Sequence, residues 1–502
     1  MARSYLYLIP LFLLLACKAT DQQPVYSTAE IFQHGVASGD PLQDKIIIWT
    51  RISSPHKDSI VAVEWEMARD DEFKIPVQKG VTSTSSEKDF TVKIDVTDLR
   101  PSSTYYYRFK ALGTFSQTGR TRTAVAGDTD SLRFAVVSCS NYEWGYFNAY
   151  RHIARQRDLM AVIHLGDYIY EYGPGVYGDT TIGRVHSPAH EILTLSDYRQ
   201  RYAQYRSDPD LQIVHQQHPF ITIWDDHEIA NNAYSEGAQN HQPDEGEYST
   251  RKDIAKQVYY EWMPVREGPH LYRSFDFGRM ASLIMLDERL AGRSMPAEDM
   301  QDSVYSSTER AILGDEQFRW FTGELIRSRS RWKILGNQVI FSRLRLGTDD
   351  QALNMDAWDG YPVEQERVGK MLSINQFDNL IILTGDTHSS WAFESTLEPG
   401  AEQRPLAIEL GTTSINSANQ NESNPDSVVR NQEELLLSAN PHLKFVNLRD
   451  HGYILLTLKQ DKARADFYYT PTNRERTTDL FLAKQIWIKN GTYKLYSDAP
   501  PD

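Results

Sequence analysis

The sequence predicts an α/β domain that is preceded by a small β-sandwich and by an export signal. Three observations support this prediction. Strands alternate with helical stretches after about residue 130, short strands separated by turn signals fill the region before residue 126, and a short apolar run opens the chain. We therefore divide the chain into residues 1–16 as a signal peptide, 17–29 as a linker, 30–126 as the sandwich, 130–475 as the α/β domain and 476–502 as a C-terminal helix and tail.

The opening apolar run extends from Tyr5 to Ala16 and ends at Cys17. It is too short to span a bilayer and is typical of a secretory signal. Small residues directly before a cysteine form a lipobox, so we expect Cys17 to become the lipidated N-terminus of an exported lipoprotein at the periplasmic or cell-surface face of a membrane. The alternative is an ordinary signal peptide with an incidental cysteine.

Composition excludes one class of function and leaves one residue open. A net charge of −15 argues against a nucleic-acid-binding protein, because such proteins carry a basic footprint. The chain has two cysteines, and the anchor uses one of them. Cys139 is therefore without a disulfide partner, and it is either a small core residue or a functional thiol.

The predicted sandwich consists of short strands and one recognisable corner. The segment from Asp98 to Tyr107 is similar to the corner that precedes the penultimate strand of fibronectin type III and immunoglobulin-like sandwiches. We predict its strands at residues 45–51, 61–67, 89–96 and 105–111.

We predict the α/β domain from apolar strands that alternate with helical stretches. We predict strands at residues 133–138, 159–165, 221–224, 283–286, 333–335, 380–384, 453–458 and 465–469, with helices at 147–158 and 315–328. The tail is predicted to hold a helix that Asp479 caps and that ends near Gly491. That helix either covers the active site as a lid or packs on the surface.

Metal-ligand residue types follow four of the predicted strands. Ligands of open α/β sheets gather beyond the carboxyl ends of strands, so we expect these residues to form one site. They are Cys139 after the first strand, Asp167 and Tyr170 after the second, Asp225, Asp226 and His227 after the third, and Asp386 and His388 after the sixth.

The residue types favour a pair of different cations. A carboxylate shared by two ions holds them roughly 3.5–4 Å apart, and Asp167 is our candidate for that bridge. A phenolate from Tyr170 is a hard anionic donor that favours a trivalent ion, which Cys139 and His388 would complete.

The second ion would have oxygen ligands from Asp167, Asp226 and Asp386, which suit calcium. Whether Asp225 or Asp226 is the ligand stays open. A metal lowers the pKa of its bound water to about 7, so such a site is expected to supply a hydroxide nucleophile at neutral pH.

Several motifs together resemble the alkaline phosphatase D type of phosphatase or phosphodiesterase, within the calcineurin-like metallophosphoesterases. The resemblance covers most of the chain after the signal. It rests on Gly35-Val36-Ala37-Ser38-Gly39-Asp40-Pro41 with Trp49-Thr50-Arg51, Asp225-Asp226-His227-Glu228 with Asn231-Asn232, Trp332-Lys333-Ile334-Leu335-Gly336-Asn337-Gln338-Val339, Ala357-Trp358-Asp359-Gly360-Tyr361-Pro362 and Gly385-Asp386-Thr387-His388-Ser389-Ser390-Trp391.

This resemblance implies a sandwich of two central sheets flanked by helices and a monomeric hydrolase of phosphomonoesters or phosphodiesters outside the cytoplasm. It implies Fe3+ on Cys139, Asp167, Tyr170 and His388, with Ca2+ on the side of Asp386. The alternative is a non-catalytic surface-binding lipoprotein that retains the fold. The natural substrate is left open among monoesters, diesters, phospholipid headgroups and wall polymers.

Further residues receive supporting roles. His227 is our candidate for contacting the phosphoryl oxygens or protonating the leaving group. Asn232 and Asn337 are candidates for orienting the phosphate, although each could instead cap backbone. Asp287 and Arg289 match a pattern of the family, and we expect them to form an ion pair that positions their loop.

Overall fold

The structure is a computed structural model that describes residues 27–54, 59–346, 351–352, 354–396 and 404–500. The predictions for the signal peptide and for Cys17 lie outside these residues. Among the described helices, none combines the length and the apolar character that a bilayer-spanning segment requires.

Within the described residues, eight α-helices pack on the sheets or connect their strands. Their bounds are α1 (Thr28–Ile31), α2 (Asn148–Ala154), α3 (Leu195–Arg206), α4 (Pro209–Gln217), α5 (Tyr248–Trp262), α6 (Gly314–Arg327), α7 (Pro362–Asn375) and α8 (Asp426–Ala439). The helices predicted at residues 147–158 and 315–328 correspond to α2 and α6.

Two large sheets share one hydrophobic core with the helices that flank them, as expected. The ten-stranded sheet has the order β24 (Leu495–Tyr496), β23 (Phe481–Lys489), β22 (Lys462–Tyr469), β21 (Gly452–Lys459), β9 (Ser131–Val137), β10 (Ala161–His164), β11 (Pro219–Thr222), β1 (Val36–Gly39), β2 (Ile46–Arg51) and β5 (Thr91–Val96). The seven-stranded sheet has the order β12 (Arg273–Phe277), β13 (Ala281–Met285), β14 (Trp332–Gly336), β17 (Leu380–Thr384), β19 (Ala407–Gly411), β18 (Ser390–Ser395) and β20 (Leu443–Asn447).

Parallel pairing brings the ends of several strands to the same edge. In the first sheet β9, β10 and β11 run parallel, with Val137 opposite His164 and His164 opposite Thr222. In the second sheet β14, β17 and β19 also run parallel. The loops that leave these carboxyl ends carry the predicted site residues.

The N-terminal region is β-rich as predicted, but its strands belong to two different sheets. A five-stranded sheet contains β4 (Pro76–Thr84), β3 (Val61–Ala68), β6 (Thr104–Ala111), β7 (Thr114–Phe115) and β8 (Gly119–Arg122), and a separate hairpin pairs β15 (Arg345–Leu346) with β16 (Gln351–Ala352). The other three N-terminal strands extend the ten-stranded sheet, because β1 pairs in parallel with β11. The backbone N–H of Asp40 continues this contact by donating to the carbonyl of Phe220 at 2.9 Å.

The predicted corner is present in the N-terminal region. The hydroxyl of Tyr105 accepts a hydrogen bond from the backbone N–H of Arg100 at 2.8 Å, and it donates back to the carbonyl of the same residue at 3.4 Å. This is the side-chain-to-backbone contact that a tyrosine corner makes.

The predicted C-terminal helix is wrong, because Phe481–Lys489 is a β-strand that pairs with β22 along its whole length. Ile486 and Ile488 are buried and alternate with the half-buried Trp487, which is the period of a strand with one buried face. The described part of this tail, residues 476–500, therefore contains the outer strands of the ten-stranded sheet and forms no helical lid.

Candidate active site and metal centre

The predicted ligands lie in the loops directly after three neighbouring strands and one strand of the facing sheet. Cys139 follows β9, Asp167 follows β10, and Asp226 follows β11. Asp386 and His388 follow β17 in the second sheet. The site therefore lies between the two sheets, where their carboxyl ends meet.

Five non-glycine residues of this site have left-handed backbone conformations. Their φ values are 59° at Cys139, 56° at Asp167, 52° at Asn232, 61° at Asp386 and 58° at His388. Such conformations are uncommon outside glycine and cost energy that the surrounding structure must supply. Their concentration in one place indicates that the loops are held in shape for a functional purpose.

One glycine is required where two of these loops meet. Gly166 has a φ of 107°, and a Cβ atom on it would lie 2.5 Å from the backbone nitrogen of Asp225. No side chain fits in that space, so the Gly-Asp order lets the loop after β10 pass close to the loop after β11.

Four donor groups converge in a first cluster. One ligand atom each from Cys139, Asp167 and His388 lies within 4.8 Å of the others. The hydroxyl of Tyr170 donates to Oδ2 of Asp167 at 2.9 Å and lies 3.0 Å from Nε2 of His388. A cation at this position could contact a thiol, a carboxylate, a phenol and an imidazole.

Burial raises the pKa of the Cys139 thiol well above its ordinary value, and the nearby carboxylate of Asp167 adds to the effect. The same two causes raise the pKa of the Tyr170 hydroxyl. Without a neighbouring cation both groups keep their protons, whereas a bound cation favours the ionised forms. Their chemistry therefore fits a metal site.

Asp225, Asp226 and Asp386 form a second cluster, in which one carboxylate oxygen of each lies within 4.8 Å of the others. Two of these buried oxygens, Oδ2 of Asp225 and Oδ1 of Asp226, accept no hydrogen bond. Of these three residues, Asp226 and Asp386 line the cavity of the site, whereas Asp225 is not among the lining residues. Buried carboxylate oxygens without donors are the environment that a cation would satisfy.

The expected ion pair between Asp287 and Arg289 is wrong, because Asp287 accepts from the backbone N–H of Arg289 instead. The guanidinium of Arg289 lies in the second cluster. It donates through Nε to Asp225, through Nη1 to Asp356 at 2.6 Å and through Nη2 to Asp386 at 3.0 Å. Arg289 therefore partly balances the negative charge of the cluster, a role that the sequence prediction missed.

His227 also has a partner that was not predicted. Its Nδ1 lies 2.7 Å from a carboxylate oxygen of Glu171, which is itself fully buried. Although burial acts in the opposite direction, the carboxylates of Glu171 and Asp226 raise the pKa of His227 well above its ordinary value. The imidazole is thus held in one orientation at the cavity wall. Glu171 directly follows Tyr170 in sequence, and that position was the available signal.

The two predicted asparagines have different positions. Asn232 lines the cavity, and its backbone N–H donates to Oδ2 of Asp226 at 2.6 Å. Asn337 is buried away from the cavity lining, and its side-chain amide donates to the carbonyl of Val339 at 2.6 Å. Asn232 is therefore placed to reach a ligand, whereas Asn337 caps backbone.

A loop after β19 completes the first cluster. The hydroxyl of Ser417 lies 2.8 Å from the hydroxyl of Tyr170 and 2.8 Å from the carbonyl of Cys139. Nδ1 of His388 lies 2.8 Å from the carbonyl of Ala418, which leaves Nε2 directed to the cluster. Sequence reasoning did not find this loop, because it carries no acidic, histidine or cysteine side chain.

Comparison with known proteins finds similarity over both parts of the chain. A family profile described as "PhoD-like phosphatase" matches residues 134–467, and one described as "PhoD-like phosphatase, N-terminal domain" matches residues 17–125. Alkaline phosphatase D of Bacillus subtilis (strain 168) is 37% identical over 469 residues, which cover 88% of this chain and 78% of that protein. A solved structure titled "Structure of PhoD" superposes with a TM-score of 0.87 at 34% identity, covering 95% of this chain and 94% of the other.

Proposed function

Because the chain belongs to the PhoD-like phosphatase family and is a metal-dependent phosphoesterase, we propose that it holds Fe3+ and Ca2+ side by side in the two clusters. The observation that supports this most strongly is the convergence of a thiol, a phenol, a carboxylate and an imidazole next to a group of aspartates. The substrate class is phosphomonoesters, phosphodiesters or both.

We assign the iron ion to Cys139, Asp167, Tyr170 and His388. Thiolate and phenolate are anionic donors that together balance a trivalent charge better than they balance a divalent one. Cys139 and Tyr170 are completely buried, so each would ionise only beside a strong positive charge.

We assign the calcium ion to Asp226 and Asp386, with Asp167 between the two metals. All three carboxylates line the cavity, and Asp226 carries an oxygen that accepts no hydrogen bond. Hard carboxylate oxygens in an irregular arrangement suit calcium better than magnesium, which requires a near-ideal octahedron. Asp225 is the less favoured ligand, because it is not among the residues that line the cavity.

The residues of the chain itself prepare the site for the reaction. When bound, the two cations would supply Lewis-acid activation of water and of the phosphoryl group. His227 presents Nε2 to the substrate while Glu171 holds Nδ1, which suits proton transfer to the leaving oxygen or contact with a phosphoryl oxygen. Asn232 lies beside Asp226 and orients the phosphate.

We further propose that the protein acts outside the cytoplasm, anchored through a lipid on Cys17, because the Leu14-Leu15-Ala16-Cys17 order closes an apolar signal. Replacement of Cys17 by alanine should then release an active enzyme from the membrane fraction. A variant that still sediments with membranes after a salt wash would contradict the anchor.

The test of the catalytic proposal combines elemental analysis with hydrolysis of a chromogenic monoester and a chromogenic diester. We expect iron and calcium in the active protein, and we expect a calcium chelator to abolish turnover that calcium restores better than magnesium. Asp226→Asn should lose calcium and activity, whereas Asp253→Asn, at an exposed position of α5, should keep both. Metal-loaded protein that hydrolyses neither ester would support the non-catalytic alternative.

A further inference from the structure

The cavity at the metal clusters has two chemically different walls. It has a volume of about 490 Å³, which is within the range of small-molecule sites and larger than a phosphate alone requires. One wall carries the acidic and histidine side chains already described. Five large apolar side chains also line the cavity, and we refer to them together as the apolar wall: Ile340, Leu344, Trp391, Leu436 and Leu448.

The apolar wall is fixed by the packing of several elements. Ile340 and Leu344 lie after β14, Trp391 is in β18, Leu436 is in α8, and Leu448 follows β20. Each side chain is buried, with at most 4% of its surface exposed. The wall is therefore already formed in the folded chain.

Trp391 joins the apolar wall to the metal clusters. Its indole N–H donates to the hydroxyl of Thr387 at 2.8 Å, and Thr387 lies between Asp386 and His388 in the loop after β17. The indole also stacks on Phe393, with ring centroids 5.9 Å apart and an angle of 14° between the planes. The indole is therefore held beside the loop that carries Asp386 and His388.

The charges of the cavity side chains limit which organic group the substrate can carry. No lysine or arginine is among the described residues that line the cavity, whereas five aspartates are. Gln420 and Gln432 add only neutral amides. A second phosphate or a carboxylate on the substrate would find no lysine or arginine among these described residues, and we have assigned the imidazole of His227 to the phosphoryl group.

We propose that the substrate joins one phosphoryl group to an uncharged, apolar organic group of about the size of an aromatic ring, which packs against Trp391, Leu436 and Leu448. This inference rests on the proposed function, since it places the phosphoryl group at the metal clusters. It assigns the choice between esters to the apolar wall and the reaction to the acidic and histidine side chains.

Two hydrolysis-resistant compounds test the inference without depending on turnover. Calorimetry on metal-loaded protein should show that phenylphosphonate binds at least about 10-fold more tightly than methylphosphonate, given the extra apolar surface that a phenyl ring buries. Equal binding of the two compounds, or tighter binding of methylphosphonate, would overturn the inference.

Substitutions in the apolar wall test whether it causes the preference for phenylphosphonate over methylphosphonate. Leu436→Asn should reduce the phenyl-over-methyl preference about 10-fold, because it places a polar amide where the ring would pack. Leu448→Asn gives a second test from a different element. The matched control is Leu437→Asn, whose leucine is in the same helix but is 39% exposed and lies outside the cavity, so the preference should stay unchanged.

The two proposals fail in different ways. If the protein hydrolyses esters but Leu436→Asn and Leu448→Asn both keep the full preference, the apolar wall is not the binding surface and this inference alone is wrong. If metal-loaded protein binds phenylphosphonate preferentially but hydrolyses neither a phenyl nor a methyl ester, the inference holds and the proposed catalytic function is wrong.

Discussion

Arg289 and Asp225 form an ion pair in which neither side chain has any surface exposed to solvent. The same guanidinium also reaches Asp226, Asp356 and Asp386, so four carboxylates share it in the interior of the protein. Those charges are placed for metals, and Arg289 supplies part of the compensating charge. The stability of this region should therefore depend on whether metals are present.

Replacement of Arg289 by methionine should reveal this dependence. Removing one partner of a buried ion pair costs about 3–5 kcal/mol, so we expect a loss of that order in the free energy of unfolding of metal-free protein. With calcium and iron bound the loss should be smaller, because the metals neutralise the same carboxylates. Chemical denaturation of both forms measures the difference.

A suitable control is Arg279→Met, which breaks a pair with Asp128 whose side chains are 74% and 64% exposed. We expect this variant to change stability by less than about 1 kcal/mol in either form. An equal loss in metal-free and metal-loaded Arg289→Met would contradict the role in charge balance.

Replacement of Cys139 by serine should lower iron content and activity far more than stability. The thiol is buried beside Asp167 and His388, and a hydroxyl nearly fills its space but is a weaker donor. Iron per folded chain, measured by elemental analysis, should fall by about 10-fold or more. Ala135→Ser, which adds a hydroxyl to the buried strand β9, should leave iron unchanged. Normal iron in the Cys139 variant would mean that the thiol is only a packing residue.

Deletion of residues 478–502 should destabilise the protein, and it should not open the active site. Ile486 and Ile488 of β23 are buried against the core, and burial of two such side chains contributes about 3–6 kcal/mol. We expect a lower melting temperature and an equal loss of activity on small and bulky esters. Ile486→Ala should reproduce part of the effect, whereas Leu482→Ala, at a 43% exposed position, should not. Higher activity on bulky esters in a stable truncated protein would restore the idea of a lid.

The free energy of unfolding of the metal-free protein should decrease as the pH falls, because buried histidines become protonated. His218 is one of these histidines. Burial lowers its pKa from 6.5 to about 4. The unfolded chain therefore binds this proton at a higher pH than the folded chain, so the stability present at pH 7 is lost as the pH falls from about 6.5 towards 4.

Between pH 7 and pH 5 this histidine alone should cost about 2 kcal/mol. His218→Gln should reduce the measured pH dependence by that amount, since glutamine stays neutral. His190→Gln is the control, because His190 has 59% of its side chain exposed. An unchanged pH dependence in the His218 variant would show that the group titrates normally in the folded protein.

The site residues that could be predicted from the sequence are those that directly follow an apolar strand. Asp167 and His388 could be found because each follows an apolar strand, and strand ends meet at one edge of the fold. Arg289 and Glu171 could not be assigned, because their partners are distant in sequence and only the tertiary fold selects them. Asn337 matched a motif of the family, yet its side chain serves the backbone.

Secondary structure was missed for two physical reasons. Helix α3 has Tyr198, Arg201, Tyr202 and Tyr205 on its buried side, so its sequence lacks the apolar stripe that predicts a helix. At the C-terminus, the spacing of Leu480, Ala483 and Trp487 matches one face of a helix and so predicts a helix where the structure has a strand. The alternation of Ile486 and Ile488 was the better signal, and strand pairing with β22 decided the outcome.

Ser38 and Gly39 pair in parallel with Pro219 and Phe220. This pairing joins the N-terminal region and the rest of the chain in one continuous sheet. A boundary near residue 126 divides the sequence, but the ten-stranded sheet contains strands from both sides of it. Expression of the catalytic part alone would expose the edge of β11 to pairing with other molecules. The N-terminal region is thus a structural component of the enzyme, and it cannot be exchanged between proteins like an independent module.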